Sequence, residues 1–546
     1  MMKKYNKIWI GLVLITLVIT SCDSLLDVNS ERFVYPENNL LNTTNDAIYG
    51  TTGIFSELDK LADRYVLLGE LRGELLDISE NADIDLKEIN DFKFSTDNPF
   101  LDTKDYYSVI NNCNYLIQNI DTSVIERAEK VLYRDYAAVK AIRAWTYMQL
   151  ALNFGKAIYT EEPILSLTEA KAEYPEYTFD ELADLLIQDL LPWRDIEAPE
   201  ELSMGDDVTS SQLFFPVRFV LGDLYLWKGQ YENAAREYYD LIYENEYVID
   251  DSYQSRWIVE NNGFTNSLYV NWRLIFDFGN SENITFLAGS MEDGEGSLLD
   301  TIMYRRLEIM PSLPAIQNWE TQTYYHNANV SKDGDLRGSM GSYYDYSDYI
   351  GTSLENKKII RKYQNLITES TKAVIVYRIG LLYLRYAEAV NRAGKPNLAF
   401  ATIKNGLSSA TMSVDSLVPP AEKYVSVNES GEGVFNAYTN FEDVIFDENI
   451  GVHARGCGEI QLAKSFIIPA LNSKDDSIEY VEDLIVKELA LETAFEGNRF
   501  HDLMRIALRR NDPSYLADKV AAKHTDNKEA IRAKLMDENN WYLPLK

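Results

Sequence analysis

The sequence contains very little cysteine and histidine. Three cysteines and four histidines occur in 546 residues, and the histidines are scattered along the second half of the chain. Their spacing fits no zinc site. Apart from Cys22, only Cys113 and Cys457 remain, which is too few for a disulfide framework, although a single bridge between them stays open. A disulfide-stapled scaffold and a zinc-dependent enzyme are therefore excluded.

Positive charge is also scarce. Lysine and arginine total 52 against 86 acidic residues, so the formal net charge is −34. Such a surface repels phosphate backbones, which excludes a nucleic-acid partner. It also argues against a polyanionic ligand, unless a local basic pocket exists.

Motifs of enzyme chemistry are absent as well. The sequence has no nucleophile elbow and no phosphate-binding loop. Pairs of carboxylates are too frequent in so acidic a chain to indicate a glycosidase. Asn81, Asp83 and Asp85 alternate like calcium ligands but lack the turn glycine and closing glutamate of a true calcium loop. We therefore predict no catalytic residues, no enzyme activity and no cofactor, with calcium as an open alternative.

A single apolar run stands out, and it lies at the N-terminus. Lys3, Lys4 and Lys7 precede an apolar stretch from Ile8 to Thr20, which is typical of a secretory signal. At about 13 residues the stretch is short for a membrane span. The ending Ile-Thr-Ser-Cys resembles the lipobox of bacterial lipoproteins. This implies a signal peptide over 1–21, lipidation of Cys22 and a membrane-proximal spacer over 22–41; the alternative is an ordinary signal peptide with a chance cysteine.

The rest of the chain shows mainly helical periodicity. Residues 104–120 repeat apolar positions at helical spacing. A capping box at Ser123 and Glu126 predicts a helix from Val124 to Phe154, and a second capping box at Thr178 predicts another. A last long helical segment is expected from Asp476 to about Arg510.

Two stretches resemble tetratricopeptide hairpins. They cover 213–244 and 381–406, with turns at Gly229 and Gly394. Tandem tetratricopeptide repeats recur about every 34 residues, and these turns lie much further apart. We therefore predict helical hairpins separated by a long irregular insertion over 246–370, with a second irregular insertion over 411–477. Trp145, Trp227 and Tyr383 lie on apolar stripes and are predicted core residues.

The segment "KELALETAFEGNRFHDLMR", residues 487–505, resembles the Glu-x-x-x-Glu-x-x-x-Glu-Gly-x-Arg-aromatic-x-Asp-Leu-x-Arg block of SusD/RagB proteins. Further pieces occur in the family's order: "NDAIYGTTGIFSEL" (45–58), "NNCNYLIQNID" (111–121), "AIRAWTYMQLALNFG" (141–155) and "YRIGLLYLRYAEAVNRAG" (377–394). Asn498 and His501 depart from the block. Arg499, Asp502 and Arg505 within it are expected to tie helices together.

The resemblance implies an all-α, SusD-like scaffold of four tetratricopeptide-like hairpins with irregular loops and minor β structure. A single domain over 42–546 would carry its helices in 42–245 and 371–546. Such proteins are cell-surface, outer-membrane lipoproteins of Bacteroidota that bind glycans without cleaving them. They deliver oligosaccharides to a SusC-like TonB-dependent transporter. A tetratricopeptide-type interaction scaffold, and capture of a peptide or another nutrient, remain the alternatives.

Aromatic residues on irregular chain are the predicted glycan platforms. Tyrosine is abundant, with 37 residues, and seven of them lie between positions 300 and 350. Flat, rigid rings suit the C–H faces of sugars. Asn318, Asp335 and Arg337 could bond hydroxyl groups, or the last two could instead form a salt bridge within a turn. For any one ring, packing within a loop is the alternative, but we expect at least two of the following to share an accessible surface: Phe100, Trp257, Tyr304, Trp319, Tyr343, Tyr344 and Tyr346.

Overall fold

The structure is a computed structural model. It describes residues 41–199, 203–205, 208–261, 263–277, 279–290, 296–347, 355–363, 371–428 and 431–545. The predicted signal peptide, Cys22 and residues 23–40 of the predicted spacer lie outside the described residues.

Helices dominate the fold and account for about 49% of the chain, which confirms the predicted all-α class. Consecutive helices pack as hairpins at several places, including α4 with α5, α7 with α8, α10 with α11 and α17 with α18. The helices are α1 Thr44–Asp59, α2 Ala62–Glu70, α3 Ile84–Asn90, α4 Lys104–Asn119, α5 Tyr133–Phe154, α6 Phe179–Leu190, α7 Val217–Trp227, α8 Tyr231–Glu244, α9 Leu313–Glu320, α10 Ile379–Arg392, α11 Pro396–Lys404, α12 Ser409–Met412, α13 Pro420–Lys423, α14 Ala454–Cys457, α15 Lys474–Glu492, α16 Arg499–Arg510, α17 Pro513–Ala521 and α18 Lys528–Leu535.

The strands are short and pair two by two. Those between 256 and 378 occupy the first predicted insertion and its junction with α10. The strands are β1 Leu76–Ile78, β2 Ile125–Glu126, β3 Glu129–Lys130, β4 Lys156–Ile158, β5 Glu176–Thr178, β6 Ser203–Gly205, β7 Val208–Thr209, β8 Arg256–Glu260, β9 Gly263–Tyr269, β10 Asn283–Ser290, β11 Ile309–Pro311, β12 Thr323–Asn327, β13 Val330–Asp333, β14 Tyr343–Asp345, β15 Lys358–Ile360, β16 Thr371–Arg378, β17 Tyr424–Val427 and β18 Gly433–Phe435.

The predicted start of the long helix over 124–154 is wrong. Helix α5 begins at Tyr133, and a small hairpin, β2–β3, precedes it. The hydroxyl of Ser123 donates to Asp121 and caps no helix. Arg127 and Ala128 have φ values of 51° and 71°, which a right-handed helix cannot accommodate. The capping box at Thr178 does open α6, as predicted.

The predicted helix over 476–510 is interrupted. A capping box at Ser473 and Asp476 opens α15, which ends at Glu492, and α16 begins only at Arg499. The connecting turn has φ values of 73° at Phe495 and 91° at Gly497. The Glu70 carboxylate accepts backbone N–H bonds from residues 495, 497, 498 and 499. A side chain of α2 therefore holds the turn.

A common hydrophobic core joins the helices before and after the first insertion. Trp145 and Tyr383 are buried in it, as predicted, and Trp227 is partly buried with its ring 5.3 Å from that of Phe179. Cys113 and Cys457 are separate buried thiols, so they form no bridge. Among the described helices, none combines the length and the apolar character that crossing a membrane requires.

Candidate ligand-binding site

The 487–505 block is the centre of a buried network of charges. Glu488 and Glu492 of α15 bind Arg337 at 2.6 and 2.8 Å. Glu492 also binds Arg378 and Arg455, at 2.8 and 2.9 Å. Charge-assisted hydrogen bonds of this kind are strong when both partners are desolvated. The network therefore ties α15 to the insertion and to the start of α10.

The three block residues predicted to join helices do so. Arg499 forms a buried ion pair with Glu74, and Arg505 binds Glu388 of α10 at 2.7 Å. Asp502 binds Arg385 of α10 at 2.5 Å. Asp335 likewise pairs with Arg337 at 2.6 Å, and neither side chain is accessible to solvent. The alternative of a salt bridge within a turn is confirmed, and the hydroxyl-bonding role for these two residues is wrong.

Two of the predicted platforms, Trp319 and Tyr343, belong to the core. Each is 2% exposed, and their rings are 5.8 Å apart. Trp319 lies on α9, where irregular chain was expected, and its indole N–H donates to the Leu491 carbonyl at 3.2 Å. A ring without an exposed face cannot stack on a sugar. Both residues are therefore removed from the candidate site.

Phe100 lies in the helical part of the chain. It occupies a short 3-10 helix, Pro99–Leu101, between α3 and α4, where the Asn98 side chain accepts its backbone N–H. Its ring is partly buried against the main core. This contact favours a packing role for Phe100.

Three other predicted platforms come together. Tyr344 and Tyr346 have their rings 4.7 Å apart. The π-helical turn over Thr301–Arg305, which carries Tyr304, packs against β15, the strand that pairs with β14. All three are partly exposed. We call these three residues the tyrosine cluster. That at least two of the seven rings share an accessible surface stays a prediction, and this cluster is where we place it.

The strand geometry explains why the cluster forms. Successive residues of a strand point to opposite faces. In β14, Tyr343 points into the core, so Tyr344 points outward, and Tyr346 follows on the same side two residues later. Tyr344 pairs with Ile359 of β15, and Tyr343 pairs with Ile360.

Arginine side chains border the tyrosine cluster. The Arg361 guanidinium carbon is 5.4 Å from the centroid of the Tyr344 ring, a cation–π contact. Partial burial lowers the pKa of Arg361, and the nearby charge of Arg273 lowers it further. The surface thus combines aromatic faces with hydrogen-bond donors in an otherwise strongly acidic protein.

The loop before α3 lies beside this surface. Glu80 forms an ion pair with Lys357 at 3.3 Å, and the Asn81 amide donates to the Arg306 carbonyl at 3.2 Å. Asp83 caps α3 by accepting the Leu86 backbone N–H at 2.9 Å. The Asn81 and Asp83 side chains therefore serve the loop and the helix start. Calcium binding by the Asn81-x-Asp83-x-Asp85 pattern stays an untested alternative.

One group with metal-ligand atoms close together exists among the described residues, namely Asp335, His453 and Cys457. Its polar atoms already have protein partners. Asp335 binds Arg337, and His453 Nδ1 lies 2.6 Å from Glu488. The Cys457 thiol donates to Asp335 at 3.4 Å, and burial raises its pKa well above the usual value. These contacts make the group part of the structural network.

Trp257 belongs to a different surface. It lies on β8 and lines a cleft together with Tyr269, Tyr324, Tyr325 and residues 450–461. Trp257 was predicted as a platform, Tyr324 and Tyr325 lie in the predicted tyrosine-rich stretch over 300–350, and Tyr269 was not predicted. Pairing of β8 with β9 places Trp257 opposite Leu268, next to Tyr269. The sequence around either aromatic residue does not indicate that the two are close.

No family model and no curated protein matches the sequence. Solved structures do match: a SusD superfamily protein from Bacteroides thetaiotaomicron has 16% identity and a TM-score of 0.54, over 92% of this chain and 95% of its own. A SusD-like protein from Bacteroides fragilis has 17% identity and a TM-score of 0.55, over 86% and 88%. A SusD-like carbohydrate binding protein from Bacteroides vulgatus has 15% identity and a TM-score of 0.53, over 85% and 84%.

These matches cover most of the chain and show its fold. The chain has the SusD-like fold, which confirms the resemblance at the level of structure. At these identities the similarity establishes the fold, and the ligand has to be argued from the surface of this chain.

Proposed function

We propose that the protein is a glycan-binding lipoprotein of the bacterial cell surface that captures oligosaccharides at the tyrosine cluster. The observation that carries the proposal is the gathering of three partly exposed tyrosine rings, on β14, on the residue after it and on a π-helical turn, beside arginine donors. Stacking of sugar rings on such faces needs no catalytic group. We propose accordingly that the bound glycan is not cleaved.

We also propose that the protein works at the outer membrane of a member of the Bacteroidota. The lipobox ending in Cys22 supports anchoring through lipid, since several acyl chains hold a protein far more firmly than one. The SusD-like fold supports delivery of the glycan to a SusC-like TonB-dependent transporter. Purification from the native outer membrane tests this step: the transporter should co-purify with the wild-type protein.

A glycan array on residues 23–546 tests the ligand class. Wild-type protein should bind a restricted set of glycans, and Tyr344→Ala with Tyr346→Ala should remove that binding. Tyr49→Ala is the matched control because Tyr49 is 77% exposed on α1, outside the cluster. Incubation with the bound glycan should release no shorter sugars; release would contradict the non-enzymatic proposal.

A further inference from the structure

A second concave surface is built jointly by the two insertions. Strands β8 and β9 and the end of β12 contribute from the first insertion, and residues 450–461 contribute from the second. The cleft between them has a volume of about 630 Å³. Sites for small molecules commonly measure about 300–1,000 Å³. We call this cavity the tryptophan cleft.

Aromatic side chains line the tryptophan cleft. Tyr269 is 58% exposed, and Trp257 and Tyr325 are partly exposed. Phe264 supports the wall with edge-to-face contacts to Trp257 at 6.5 Å and to Tyr324 at 6.1 Å. The Trp257 and Tyr324 rings are therefore held in place by packing before any ligand arrives, which reduces the entropy lost on binding.

Trp257 has an unused hydrogen-bond donor. Its indole nitrogen is shielded from solvent and has no partner among the described residues. Donors buried in this way are uncommon in native proteins and each requires an explanation. Since this atom has no accessible surface, a ligand in the cleft meets the exposed part of the Trp257 ring and not the indole N–H.

The cleft lining carries little net charge. Asp251 and Glu459 line it together with Arg256, whose guanidinium lies 3.6 Å from Asp251. Two acidic groups and one basic group leave the lining with a formal charge of about −1, in a chain whose formal charge is −34. The Lys332 ammonium, which does not line the cleft, lies 3.4 Å from the centroid of the Trp257 ring. Electrostatic complementarity thus favours an uncharged ligand over an anionic one.

From this geometry we propose that the tryptophan cleft is a second carbohydrate site, which binds a segment of a neutral oligosaccharide. The side chains of Gln461 and Glu459 on its walls supply amide and carboxylate groups suited to sugar hydroxyls, whereas the Gln254 amide already donates to the Ala454 carbonyl at 2.8 Å. The proposal shares its ligand class with the proposed function but uses a separate surface. Two sites on one protein would strengthen binding of a chain long enough to occupy both.

The test is calorimetric titration of the mature protein, purified from its membrane in a sugar-free detergent. The probes are neutral hexasaccharides from cellulose, starch, xylan and mannan. The variants are Tyr269→Ala, the double change Tyr344→Ala with Tyr346→Ala, the triple change that combines them, and the control Tyr49→Ala. Tyr269 is mostly exposed, so its truncation should leave the fold intact, and circular dichroism checks this.

We expect at least one hexasaccharide to bind the double variant. Tyr269→Ala should weaken that binding by about ten- to a hundredfold, the effect of losing one aromatic platform. Tyr49→Ala should leave it unchanged. Binding that survives in the double variant and depends on Tyr269 supports the tryptophan cleft even if the proposed role of the tyrosine cluster fails.

Three results would overturn the inference. In the first, the double variant loses all binding, which leaves the tyrosine cluster as the glycan site and the cleft empty. In the second, none of the four hexasaccharides binds the wild-type protein. In the third, peptides from a random heptapeptide library bind in a Tyr269-dependent manner and the hexasaccharides do not, which would make the cleft a peptide site.

Discussion

Replacement of Arg337 by methionine examines the buried network that joins the insertion to α15. Arg337 has no exposed surface and contacts Asp335, Glu488 and Glu492 within 2.8 Å. Methionine keeps much of the volume but leaves three carboxylates without this cation. Breaking a buried ion pair from one side costs about 3–5 kcal/mol. Unfolding entropy of about 2.1 cal/mol/K per residue, over roughly 500 residues, converts about 4 kcal/mol into a Tm lowered by roughly 4 °C.

Guanidinium denaturation followed by circular dichroism measures this loss directly. Arg134→Met is the matched control, since the Arg134–Glu197 pair is solvent-exposed, at 40% and 76% for the two side chains, and should contribute about 0–1 kcal/mol. An unfolding free energy of Arg337→Met within 1 kcal/mol of the control would refute the argument that this network holds the insertion on the scaffold.

Further predictions concern stability and anchoring. Burial alone would raise the pKa of Glu492, but three guanidinium groups lower it from 4.5 to about 2. The ionised carboxylate therefore stabilises the fold fully above pH 4.5, and this stabilisation is lost as the pH falls toward 2. Denaturation midpoints measured from pH 5 downward should fall accordingly. Glu492→Gln should flatten that profile, and an unchanged profile would contradict the assignment. Trp319→Ala should lower the unfolding free energy by about 3–5 kcal/mol. An unchanged stability together with lost glycan binding would contradict the core role of Trp319 and indicate a ligand contact. Cys22→Ala should abolish incorporation of labelled fatty acid, and incorporation at the wild-type level would refute lipidation.

Much of the scaffold could be predicted because its signals are local. The hairpin turns at Gly229 and Gly394 and the capping box at Thr178 each depend on residues within one turn of chain. The start of α5 could not be predicted, because Asp121 binds the Ser123 hydroxyl and left-handed residues follow. The interruption before α16 depends on Glu70, which is distant in sequence.

The candidate site was only partly predictable. Aromatic composition indicated the region around 300–350. Alternation along β14 explains why Tyr343 is buried while Tyr344 is partly exposed. This alternation could be recognised only once residues 343–345 were known to form a strand. The strand could not be predicted locally, because β14 pairs with a segment more than ten residues later in the sequence. Trp319 was misplaced because α9 is short and its burial comes from contact with α15 and Phe495. Nothing in the sequence around Tyr269 indicates a binding role; its position beside Trp257 follows only from the pairing of β8 with β9.

The most direct test of the central claim is a titration of residues 23–546 with the best glycan from the array. Covering about 100 Å² of apolar surface at ~25 cal/mol/Å² contributes roughly 2.5 kcal/mol per ring. Tyr344→Ala alone should therefore raise the Kd by up to about a hundredfold, with folding checked by circular dichroism and Tyr49→Ala as the control. A Kd that stays at the wild-type value in folded Tyr344→Ala and in folded Tyr346→Ala would contradict glycan capture at the tyrosine cluster.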